Sequence, residues 1–151
     1  MSAPTFQPEA GLWDPKSAEA LAARHREVLA GLRQRLNHIF PAGAGPSAGL
    51  LYDRLKATKR KRVALVSMDL LQAAADLAAA ADMIDGVAGR YCPPAERGWE
   101  GWTDWCARRA LLYLESAAAY LRVDPLPADY HERRRLTLAD RWAHRHQEVA
   151  A

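Results

Sequence analysis

Between Val63 and Val87 apolar side chains recur at alternating steps of three and four residues: Val63, Val66, Leu70, Ala73, Leu77, Ala80, Ile84 and Val87. Strand side chains alternate at every second residue, so this spacing fits one face of an α-helix and no strand. Ser67, Ala74 and Ala81 flank the seam with small side chains that let a neighbouring helix come close. Asp69 and Asp76 lie on the other flank, where they are expected to pair with arginines of adjacent helices. A chain with such a seam must bury at least one helix among others.

The remaining sequence is punctuated into further helices. Asp14 and Pro15 open the first as N-cap and first-turn proline, and Pro41 closes it after about Phe40. Its apolar face is Leu21, His25, Val28, Leu32, Leu36 and Ile39. Residues 41–47 form a Gly/Pro hinge. The stretch from Ser47 to Arg90 is expected to be one long helix, continuous or kinked, whose N-terminal part reaches past the core. A separate helix starting at Thr58 would place four cations at its positive dipole end. After a Pro/Gly-rich loop, Thr103 is expected to cap a helix to about Arg122 with the seam Ala107, Leu111, Leu114, Ala118 and Leu121. A last helix ends near Val149 and carries Leu138, Trp142, His146 and Val149 on one apolar face. β-branched residues are sparse and no alternating run appears. The expectation is an all-α fold, an antiparallel bundle of four or five helices with one long central helix. Residues 1–13 form a tail and 14–150 a single helical-bundle domain.

Composition narrows the function classes. Half of the residues are hydrophobic and 26% charged, as in globular rather than disordered chains. Asp69, Gln72 and Asp76 interrupt the most apolar segment, so no membrane span is expected. The first 13 residues carry Glu9 and no basic start before an apolar run, which does not read as a signal peptide. Cys92 and Cys106 then read as reduced thiols of a cytoplasmic protein. The abundance of Ala, Leu and Arg beside few lysines points to a bacterial or phage-derived chain.

Arg54, Lys56, Lys59, Arg60, Lys61 and Arg62 crowd one short segment and cover the whole circumference of a helix. Such a segment cannot be buried. Lys56, Lys59, Arg60, Lys61 and Arg62 are the candidate phosphate contacts, for DNA or RNA, without base specificity. Arg133, Arg134, Arg135, Arg141 and Arg145 would supplement them. The competing reading is a solvated helix end.

Other constellations point elsewhere. Leu32 to Phe40 reads LRQRLNHIF and resembles the Arg-x4–6-His motif of the HEPN family, α-helical proteins that include metal-independent ribonucleases. That resemblance implies Arg33 and His38 as catalytic residues acting on the phosphodiester, with Gln34 in the polar position. Arg141 and His146 share the spacing, but Trp142 occupies the polar position. His25 and His146 fall on apolar faces, and Asp69, Asp76 and Glu115 lie on seam flanks. No Glu-x-x-His repeat or His-x-x-x-His pair occurs, so no metal or other cofactor is expected. Trp99, Trp102 and Trp105 recur at every third position, as an interface anchor or as a loop stapled over the bundle end. No nucleophile elbow or glycine-rich phosphate loop is present. The leading expectation is a non-catalytic binding protein contacting nucleic acid through its basic helix segment. The alternatives are a HEPN-like ribonuclease and a structural module that binds a protein partner or forms a homo-oligomer through its alanine seam or Trp loop.

Overall fold

The computed structural model describes the backbone of residues 15–37, 47–61 and 67–150 and the side chains of 17–37, 47–58 and 67–147. Five helices follow one another: α1 (Pro15–Leu36), α2 (Ala48–Lys61), α3 (Met68–Val87), α4 (Trp102–Tyr120) and α5 (Tyr130–Ala150). A short 3-10 turn, Pro94–Glu96, interrupts the loop between α3 and α4. No strand occurs among the described residues, and the fold is an all-α bundle. None of the described helices is long and apolar enough to cross a membrane.

The bundle is organised around α3, which packs chiefly on α4 and also on α2 and α1. Its seam is buried as expected, with Leu70, Ala73, Leu77, Ala80, Ile84 and Val87 all inside. Val63 and Val66 lie outside the described residues. From α4, Ala107, Ala110, Leu114, Ala117 and Ala118 meet this face. Gly86 stands against Cys106, and ten residues earlier Asp76 meets Ser116, so α3 and α4 run antiparallel. A Cβ on Gly86 would come within 2.5 Å of the Cys106 sulfur, so the helices approach closely only because residue 86 has no side chain. Burial of each large side chain such as Leu77 or Leu114 contributes about 1.5–3 kcal/mol.

The long stretch from Ser47 to Arg90 is two helices, which corrects the expectation of one continuous helix. Ser67 supplies the physical reason for a new start: its backbone is extended, and its Oγ accepts a hydrogen bond from the Leu70 amide at 3.3 Å. Lys59, Arg60 and Lys61 therefore stand in the last turn of α2, where a helix dipole favours positive charge, rather than at the start of α3. Two other ends also differ. α1 stops at Leu36, and Ile39 and Phe40 lie outside the described residues. α4 begins at Trp102 behind Gly101, so Thr103 sits inside its first turn instead of capping it.

The largest departure is α5. Its expected apolar face points to solvent: Leu138 is 38% and Trp142 63% exposed, and His146 is exposed as well. The Val149 side chain lies outside the described residues. α5 instead rests on α4 through Arg133, Thr137 and Arg141. The polar bonds of that face, detailed below, fix the rotation of the helix.

Candidate functional site

α2 turns one narrow face to the bundle, with Ala48, Leu51 and Leu55 buried. Beyond Leu55 no described side chain of the helix is fully buried, yet it continues to Lys61. Thr58 is half-buried, and its hydroxyl donates back to the Arg54 carbonyl at 2.8 Å. Arg54 is exposed, and so is Lys56, whose ammonium lies 5.8 Å from the centroid of the Tyr52 ring. Lys59, Arg60 and Lys61 continue the helical backbone, but their side chains lie outside the described residues, as does the whole of Arg62.

The arginines expected to supplement this cluster are mostly engaged within the molecule. Arg133 pairs with Glu115 at 2.7 Å and with Asp129 at 3.0 Å, and Arg135 with Glu132 at 2.6 Å. Arg134 is exposed. Arg141 and Arg145 share one carboxylate, that of Glu96, at 2.8 and 2.6 Å.

Sequence reasoning missed Glu96, the most completely buried charged side chain described, at 0% exposure. Pro93 and Pro94 start the 3-10 turn that drives its side chain inward. His144 brings Nε2 to 3.5 Å from its second oxygen. Burial alone would raise the Glu96 carboxyl, but hydrogen bonds from Arg145 and Arg141 outweigh it and hold the group below its ordinary value. The tryptophans close this cluster. Trp102 and Trp105 stack at 5.4 Å and are buried, with the Arg141 guanidinium 4.6 Å from the Trp105 ring. Their indole N–H groups donate to Tyr91 O and Thr137 O at 3.0 and 2.9 Å. Trp99 stacks on His144 at 4.4 Å, and a Cβ on Gly101 would collide with that indole at 2.8 Å. The cluster staples loop and α5 over the end of the bundle. One sequence cue pointed to it: Arg141, His144 and Arg145 share a helix face at three- and four-residue spacing, and that face needs an anion.

The residues of the HEPN-like resemblance are not brought together in any described geometry. Arg33 and Gln34 are exposed in the last turns of α1, and His38 lies outside the described residues. In the second copy Arg141 is held by Glu96, while His146 stacks on Trp142 at 3.8 Å. His25 Nε2 donates to the Leu77 carbonyl at 2.9 Å, a bond that occupies it inside the bundle. Asp76 feels the charge of Arg109 on the adjacent α4 but takes its hydrogen bonds elsewhere. It accepts from Ser116 at 2.6 Å and Gln72 at 3.2 Å, and burial raises its carboxyl pKa. Asp69 is exposed. Among the described residues no group of three His, Cys, Asp or Glu side chains is placed to hold a metal ion. Both cysteines are free, and burial pushes the Cys106 thiol up to about 12, where it is inert as a nucleophile.

The alanine seam and the inner tryptophans Trp102 and Trp105 are buried within the chain, and Trp99 is half-buried. No family model, curated protein or solved structure matches the chain.

Proposed function

We propose that the protein is a non-catalytic binding module that contacts a polyanion, DNA or RNA, through the end of α2. One observation carries this reading: α2 extends past its own core contact. Among the described side chains the buried positions end at Leu55, and the helical backbone runs on through Lys56, Lys59, Arg60 and Lys61. A helix held by its first two turns, with cations crowding its last, suits contact with a flexible or irregular phosphate backbone. The pairing of Arg133, Arg135, Arg141 and Arg145 with carboxylates concentrates the proposed site on α2. Contacts are to phosphates, so affinity is expected to fall steeply with salt and to vary little with sequence.

The test is a mobility shift with nonspecific duplex and single-stranded probes across a salt series. Replacement of Lys59, Arg60, Lys61 and Arg62 by glutamine is expected to weaken binding and to flatten the salt dependence. Melting should change little, since exposed substitutions stay within about 0.5 kcal/mol each. A wild-type protein that leaves polyanions unbound at low salt would refute the reading. RNA cleavage in the presence of chelator, abolished by Arg33→Ala, would replace it with the HEPN-like ribonuclease.

A further inference from the structure

A cleft of about 630 Å³ runs between α4 and α5, within the size range of ligand-binding clefts. Its apolar walls are Leu111, Leu112 and Leu136, and Leu136 is 48% exposed along the open side. Its rim carries Glu100, Asp104 and Asp140. Two guanidiniums also line it, and each is already bracketed by two carboxylates. Arg108 meets Asp104 at 3.0 Å and Asp140 at 2.6 Å. Arg133 meets Glu115 at 2.7 Å and Asp129 at 3.0 Å. Carboxylates thus outnumber cations around the cleft, opposite in sign to the end of α2.

We infer that this cleft docks a segment of a partner protein that presents a lysine or arginine beside an apolar side chain. The leucines take the apolar side chain and the aliphatic stem of the cation. The charged head reaches the rim, where Glu100 and the outer lone pairs of Asp140 accept its hydrogen bonds. An acidic or phosphorylated segment is repelled by the same rim. The open side along Leu136 suits a chain lying lengthwise between two helices.

The surface is separate from α2, so the inference stands or falls independently of polyanion binding. Calorimetric titration with a short synthetic peptide alternating leucine and lysine is the test, with a leucine–glutamate peptide as control. The lysine peptide is expected to bind, more weakly as salt rises, and the glutamate peptide to stay unbound. Glu100→Lys and Leu136→Ser are each expected to weaken binding on the order of tenfold. Both residues are exposed, so melting should be unchanged. The glutamine variant of Lys59, Arg60, Lys61 and Arg62 should bind the peptide as wild type does. Absence of binding, equal binding of the two peptides, or normally folded cleft variants that bind like wild type would each overturn the inference.

Discussion

Helix α4 is packed on two sides by opposite chemistries. Toward α3 it offers alanines, leucines and one cysteine to a face of the same kind, drawn close by Gly86. Toward α5 it offers Glu115, Arg108 and Trp105 to Arg133, Asp140 and Thr137, while Leu138 and Trp142 of α5 look outward. The first interface draws on the hydrophobic effect, which is indifferent to direction and tolerates small rotations. The second draws on charge pairs and hydrogen bonds, which fix one rotation of α5 but return little net free energy where water reaches them. α3 and α4 therefore form the stable centre, and α5 is a helix clamped on by polar contacts, chiefly to Glu96.

The largest expected effect breaks the first interface. Leu77 is fully buried, and Leu77→Asp should leave an uncompensated charge there. The cost, several kcal/mol against a typical stability of about 5–15 kcal/mol, should unfold the whole chain. A thermal melt like that of wild type would show that the seam is not the centre.

Next in size is Glu96→Gln, which leaves Arg141 and Arg145 facing a neutral amide. Because Arg145 is half-exposed, the expected loss is about 1–3 kcal/mol, less than for a fully buried pair. Chemical denaturation of the two proteins checks it, and an unchanged midpoint would reduce the clamp to decoration.

Acidification sharpens the contrast further. Burial holds the His25 imidazole below its ordinary pKa, even though the Leu77 carbonyl bond works the other way. A histidine depressed in the folded state gives stability that is full above 6.5 and lost as pH falls through its folded value. Glu96 is depressed too, so its contribution persists above 4.5 and disappears below that. Asp76 is raised, and its protonation on folding gives back some stability as pH falls. Stability should therefore drop in two steps, one below 6.5 that His25→Asn removes and one below 4.5 that Glu96→Gln removes. A pH series of melts with both variants tests the assignment.

Smallest is the outward face of α5. Trp142→Ser and Leu138→Ser should shift stability by no more than about 0.5 kcal/mol. A large loss in denaturant melts would mean that this face is covered in solution.

Much of the fold was legible because period carries it. Leu70, Ala73, Leu77, Ala80 and Ile84 in α3, and Ala107, Leu114 and Ala118 in α4 with Leu121 at its end, are buried where three- and four-residue spacing placed them, and Leu111 of the same seam is half-buried. Spacing has no sign for direction, however. In α5 it grouped Leu138, Trp142 and His146 correctly but gave them to the core, and the Glu96 bonds turned the opposite face inward. Glu96 itself was hidden because a glutamate in a Pro-Pro loop carries no periodicity, and its partners lie some 45 residues away along the chain. The break between α2 and α3 was hidden for a related reason: a single serine cap decided it, against a charge run that disguised the end of one helix as the start of another. For the basic segment, sequence alone identified the cations, and the structure adds that α2 ends among them.

Native-state hydrogen exchange, read helix by helix in wild type and Glu96→Gln, measures the difference between the two interfaces most directly. Amides of α5 are expected to open well below the free energy at which α3 and α4 open, and Glu96→Gln should lower α5 protection further without touching α3. Equal protection of α5 and α3 in wild type, or a uniform loss across all helices in the variant, would contradict the picture of a polar helix clamped onto an apolar centre.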